Sequence, residues 1–239
     1  MIGAGRWTGC AAAAALVATV VLAGPLPARA DTDLVSLEET YQPFADHFNE
    51  TAGQVRFVAI LSPTCGHCLY GARTVASELI DHYKGVDFAV SIVWAPMLEG
   101  DDEASAREAA QMFDDPRVVQ YWDPERFVGY LYRFDVFAEG AAQMAASLWP
   151  SHPFYESMQK RADTDHDRPE WDLYMWFEPG LEWEKDAVAP SRFIRQFAHW
   201  QEGGATLSLM WIDSMESAPA TSNLADMMGS IMHELIPHE

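Results

Sequence analysis

The stretch Val55-Arg-Phe-Val-Ala-Ile-Leu-Ser-Pro-Thr-Cys-Gly-His-Cys68 runs from an apolar segment, through a short polar turn, into a pair of cysteines. Val55 to Leu61 is apolar except for Arg56 and reads as a buried strand. Ser62-Pro-Thr turns the chain. Beyond the cysteines, Leu69, Ala72, Ala76, Leu79, Ile80 and Tyr83 keep helical spacing until Gly85, a natural C-terminal stop. The pair therefore falls at a strand-to-helix junction, with Cys65 at the start of the helix.

That position has chemical meaning. The nucleophile in thiol–disulfide exchange is a thiolate, and a free cysteine is mostly protonated at neutral pH. A helix N-terminus presents unpaired N–H groups and partial positive charge, which stabilise an anion there. Cys65 is thus the expected nucleophile. Cys68, one turn on, is placed to displace a mixed disulfide on Cys65. His67 can add positive charge or a hydrogen bond, Gly66 keeps the approach to Cys65 open, and Thr64 borders the nucleophile.

Outward from this junction, Val86 to Trp94 is nearly all apolar, as a central parallel strand should be. An acidic loop at Glu99 to Glu103 leads to a helix ending near Pro116, and Val118 to Trp122 reads as a third strand. Asp123 is placed to cap a helix with Pro124 at its first position, running through Phe127, Leu131 and Phe134. Residues 138–168 are less regular and read as a mostly helical insertion. Trp171 to Phe177 is a strand, then a Pro179-Gly180 turn and a returning strand at Leu181 to Glu184. Pro190 opens an expected helix through Phe193, Ile194, Phe197 and Trp200. Thr206 to Ile212 is a further strand and Leu224 to Ile236 a final amphipathic helix. On the N-terminal side, Leu34, Leu37, Tyr41, Phe44 and Phe48 form a helical stripe, with Ser36 and Glu39 as a possible capping box and a kink or restart at Pro43. The plan is α/β with a parallel core.

Strand, Cys65-Gly66-His67-Cys68 and long helix together resemble the thioredoxin superfamily, and the four-residue motif is the one in the catalytic domains of protein disulfide isomerase. The resemblance spans Gln54 to Trp94 and continues more loosely to Trp200. It implies a thioredoxin-like fold with a helical insertion and a C-terminal helical extension. Val118 to Phe127 is similar to the extra strand and helix of exported thioredoxin-like reductases and peroxiredoxins. In those families a cis-proline facing the cysteines precedes the next strand. Pro169 is the candidate for it, in competition with Pro150, Pro153 and Pro190. Two departures stand out. Thr64 replaces the usual tryptophan before the first cysteine, and Ala59 stands where the family places a buried acid as proton acceptor for the second. Another group must take that proton, or the resolving step is slow.

The first thirty residues read as a secretory signal: Arg6, an apolar run from Ala11 to Gly24, and small residues at Ala28 and Ala30, with cleavage expected before Asp31. The expected location is periplasmic or secreted, without stable membrane insertion after cleavage. Residues 31–202 would form the thioredoxin-like domain and 203–239 an extension packing on it. Of three cysteines, Cys10 lies in the leader, so Cys65 and Cys68 alone remain. A bridge closing so short a loop does little for stability, which points to chemistry. With 36 acidic against 15 basic residues the net charge is −21, a surface that repels nucleic acid and anionic membranes.

The expected activity is thiol–disulfide exchange with protein or small-molecule thiols and disulfides, assisted by a redox partner for recycling and by no cofactor or metal. Two alternatives belong to other classes: a dithiol binding copper or mercury, or a non-catalytic interaction module. Met210, Met215, Met227, Met228, Met232, His233 and His238 in the tail suit a soft metal, but Leu224, Met227, Met228, Ile231, Met232 and Leu235 also follow helical spacing, which favours a core or interface helix. Asp163 to Asp167 resembles a calcium loop but lacks its glycine and terminal glutamate, so a solvated acidic loop is the better reading.

Overall fold

The computed structural model describes residues 33–137, 168–201, 204–211 and 223–236. The chain divides into Met1–Asp31, which lies outside these residues, and one compact unit from Thr32 to Glu239. The expected leader, the expected insertion at 138–168 (apart from Arg168) and the expected acidic loop at Asp163 to Asp167 fall outside them.

A seven-stranded mixed sheet organises the unit, in the order β1-β4-β3-β2-β5-β6-β7. The strands are β1 (Val35–Ser36), β2 (Val55–Leu61), β3 (Phe88–Trp94), β4 (Val118–Trp122), β5 (Leu173–Phe177), β6 (Arg192–Gln201) and β7 (Gly204–Trp211). The helices are α1 (Gln42–Glu50), α2 (Gly66–Thr74), α3 (Glu103–Ala110), α4 (Phe127–Leu131) and α5 (Leu224–Leu235). α2 winds on as π-type turns over Val75–Asp81, and α4 does so over Tyr132–Val136. The first four strands of the order run parallel, while β5, β6 and β7 join antiparallel to their neighbours.

Strand β2 shows why the site sits where it does. All seven of its residues are buried, because helices cover both faces of the sheet. Phe57, Ala59 and Leu61 face a core shared with α2, α3 and α5; Val58 and Ile60 face a second core with α1, α4 and Trp183. Arg56 is the exception to this apolar run. Its Nη1 and Nη2 donate to the carbonyls of Phe48, Leu181 and Glu178 and the guanidinium lies 4.0 Å over the Phe48 ring, so the buried charge meets three acceptors and an aromatic face. In α5, Met227, Met228 and Met232 are buried in the first core, and Tyr83 donates to the Gly229 carbonyl at 3.5 Å.

The structure corrects four local expectations. Pro190 to Trp200 is not a helix: β6 occupies it from Arg192, paired with β7 from Ile194↔Trp211 to Gln201↔Gly204. Leu181 to Glu184 is not a returning strand, because Trp183 is drawn into the aromatic cluster of Phe44, Phe48 and Tyr132 and the Trp183 backbone bonds to Asn49. The N-terminal stripe does not start a helix at Leu34: Val35 and Ser36 pair with Tyr121 and Trp122, and α1 begins only at Gln42 with Pro43 in its first turn. Asp123 accepts from the N–H groups of Phe127 and Val128, both at 2.9 Å, so it caps a helix that starts three residues later than Pro124 suggested.

Candidate functional site

The site lies where β2 hands over to α2. Cys65 is the N-cap of α2, with extended backbone (φ −71°, ψ 123°), and its carbonyl accepts the first helical bond from Leu69 at 2.9 Å. Cys65 is half-buried and Cys68 fully buried, and both are free thiols.

The two sulfurs titrate in opposite directions. The Cys68 thiol donates a hydrogen bond to Cys65, which outweighs partial burial; with the Cys68 and His67 N–H groups and the charge of His67, it brings Cys65 down to about 6. This is the electrostatics of a helix N-terminus with a thiol as added donor. Burial pushes Cys68 well up, as do its bond to Cys65 and the negative charge of Asp172. One sulfur is an accessible thiolate at neutral pH, and the other is a buried thiol.

Thr64, just before Cys65, is exposed and tied down. Its N–H and hydroxyl both donate to Asp101 Oδ1, while Ser62 Oγ and the N–H groups of Met97 and Leu98 donate to Asp101 Oδ2, each at 2.8 Å. Burial works to raise the Asp101 carboxyl, but these bonds prevail and hold it below the usual carboxylate range. One carboxylate thus staples the loop after β3 to the turn that presents Cys65. Asp101 belongs to the acidic loop of the sequence, where nothing marked it as different from its neighbours. Gly66 is exposed, and a Cβ there would meet nothing within 4 Å, so a side chain at this position would stand in the open approach beside Cys65. His67 is half-buried, and its N–H and its charge act on Cys65.

Pro169 is not a cis-proline: no peptide bond among the described residues is cis. It packs instead on Gly129 of α4, where Glu170 N donates to the Gly129 carbonyl at 3.0 Å. The paired charges of Glu170 with Arg133 and Arg195 hold the same stretch to that side of the sheet. Pro150 and Pro153 lie outside the described residues.

The residue of this stretch that reaches the cysteines is Asp172. It adopts a left-handed backbone (φ 53°), a conformation that aspartate tolerates better than most residues, and turns the chain into β5. Since Leu173 pairs with Ile60, Asp172 arrives beside the end of β2, where the dithiol begins. Its carboxyl is buried and accepts from the Tyr174 hydroxyl at 2.8 Å; Tyr174 in turn accepts from Gln196 Nε2 at 2.8 Å. The Cys68 thiol lies beside the same carboxyl, so its one proton is shared between Cys65 and Asp172. Burial, with the negative charge of Cys65, lifts Asp172 to about 7 against the bonds from Tyr174 and Cys68. A single acid inside the apolar run Trp171 to Phe177 was the available signal, because a buried carboxyl needs partners.

Among the described residues no group of three or more His, Cys, Asp or Glu is placed to hold a metal ion, and no helix is long and apolar enough to cross a membrane. Compared with known proteins, the chain matches no family model, no curated protein and no solved structure.

Proposed function

We propose that this chain is an exported thiol–disulfide oxidoreductase of thioredoxin type, working through Cys65 and Cys68. The observation that carries the reading is the division of labour between the sulfurs: a half-exposed thiol lowered to about 6 at a helix N-cap, and a fully buried thiol one turn on that bonds to it. Such a pair suits nucleophilic attack by one sulfur and resolution by the other. The mixed sheet supports the fold assignment. β2 is flanked by parallel β3 and antiparallel β5, β5 by antiparallel β6, and α5 packs on the core after the further strand β7, an arrangement compatible with a thioredoxin-like fold. The substrates are protein or small-molecule disulfides and thiols, with a separate partner recycling the pair. Export rests on the leader sequence alone.

The deciding experiment equilibrates the chain lacking its leader with glutathione buffers and follows the Cys65–Cys68 couple. A potential of about −120 to −200 mV marks a disulfide donor or isomerase; about −250 mV or lower marks a reductase. Loss of exchange in Cys65→Ser is the expected companion result. If no reversible couple forms, or Cys65→Ser exchanges as well as the parent, the reading fails. A soft metal retained at one equivalent and lost in the double cysteine variant would then put the binding reading in its place.

A further inference from the structure

We infer that Asp172, delivered by β5, is the proton acceptor and donor for Cys68 in the resolving step. The inference rests on the thiol–disulfide reading above. Cys68 is buried and its thiol is held protonated, so it cannot attack until a base takes its proton. Ala59 offers none from β2. The carboxyl beside the Cys68 thiol is Asp172, and the wiring around it is directional. Gln196 Nε2 donates to the Tyr174 oxygen, and the Tyr174 O–H points its proton at Asp172 Oδ1. One carboxylate oxygen is thereby occupied by a fixed donor, which leaves the group an acceptor for the thiol.

The balance of the step is as follows. The Cys65 thiolate attacks one sulfur of a substrate disulfide; that S–S bond breaks and one substrate thiolate leaves, taking a proton from water. Asp172 then removes the proton from Cys68, whose sulfur attacks Cys65 Sγ. The Cys65–Cys68 bond forms, the bond from Cys65 to the substrate breaks, and the second substrate thiolate departs. The dithiol has lost two electrons and the substrate disulfide has gained them. In the opposite direction the protonated Asp172 returns its proton to Cys68 as that sulfur leaves.

Timing favours the carboxylate. While Cys65 is a thiolate, its charge raises Asp172, and its hydrogen bond holds the Cys68 proton. Forming the mixed disulfide removes that charge and weakens that bond. Asp172 then ionises more readily at the step that needs a base.

The test uses the reduced protein without its leader and less than one equivalent of dithiobis(nitrobenzoate), which releases one coloured thiol on loading Cys65 and a second on resolution. For the parent, the second release should fall only as pH drops through a value below about 7, because the Cys65 charge that raises Asp172 is gone in the mixed disulfide. Asp172→Asn, which keeps the left-handed backbone and the Tyr174 bond, should slow the second release about 100-fold or more at pH 6 and move its inflection up toward the thiol range. The first release should be little changed. An Asp172→Asn protein that resolves within threefold of the parent, with the same inflection, overturns the inference while leaving the exchange reading intact. If that variant does not fold, the parent profile decides alone: an inflection only above about pH 8 overturns the assignment. If the parent never loads, the exchange reading falls and this inference with it.

Discussion

The Tyr174 hydroxyl fills the space that a side chain at Gly71 would need, so α2 rests directly on the tyrosine that supports Asp172. Tyr174 is fully buried and fixed by bonds to Asp172 and Gln196, and it cannot swing aside. Gly71→Ala should gain up to about 1 kcal/mol of helix propensity and lose about 1–3 kcal/mol to overpacking. A net loss is expected in urea unfolding. Tyr174→Phe removes the clashing oxygen, so Gly71→Ala should cost less in that background. Equal costs in the two backgrounds would show that the contact does not govern the helix position.

Cys65 should react with iodoacetamide with half-maximal rate near pH 6, while Cys68 stays unmodified in the folded protein. Replacing His67 by Phe should shift that midpoint upward, because the charge of His67 helps to lower it. A midpoint in the ordinary range of about 8–9 would contradict the N-cap geometry.

The same shift links stability to pH. The folded-state value of Cys65 lies below that of the unfolded thiol, so the thiolate favours the folded reduced protein. That contribution is complete above the unfolded value of about 8.5 and is lost as pH falls through about 6. The difference in urea midpoint between reduced parent and Cys65→Ser should therefore change in the parent's favour from pH 6 to pH 8.

Asp101→Asn should loosen the staple between Thr64 and the loop after β3. Bonds to a charged acceptor contribute about 1.5–3 kcal/mol each at most, and an amide cannot accept from all five donors at once. A stability loss of about 1–3 kcal/mol is expected, with slower reaction at Cys65 as Thr64 loses its anchor. Because the parent carboxyl lies below its usual range, this contribution is present above the unfolded value near 4 and disappears as pH falls through the folded one. Unchanged unfolding in urea at pH 7 would show the staple to be idle.

Arg56→Ala offers a contrast. It strands the carbonyls of Phe48, Leu181 and Glu178 at the start of β2, the end opposite the cysteines. A stability loss of about 3–5 kcal/mol is expected, with the Cys65 titration midpoint unchanged in the protein that remains folded. A shifted midpoint would tie the two ends of the strand together.

The local plan was readable where pattern and burial agree. Val55 to Leu61 and Val118 to Trp122 are strands with the boundaries their apolar runs suggest, and Leu224 to Leu235 is a helix whose methionines face the core. Phe193, Ile194, Phe197 and Trp200 misled because their steps of one, three and three imitate a helical stripe. Gly203-Gly204 between two apolar runs was the better guide, since a glycine pair favours a turn between strands over a continuing helix. The dithiol was legible because its members are neighbours in sequence. Asp172 and Asp101 were not, because their roles come from contacts with Cys68 and Thr64 across the sheet, and no spacing rule encodes such a contact.

The arrival of Asp172 on β5 also sets an order of completion. A chain made from its N-terminus releases Cys65 and Cys68 long before the acid that lies beside them, and β5 must dock on β2 before the two meet. A nascent chain would thus carry a bare pair of thiols, exposed to whatever oxidant surrounds it, and only the finished sheet would hold the pair in its working environment.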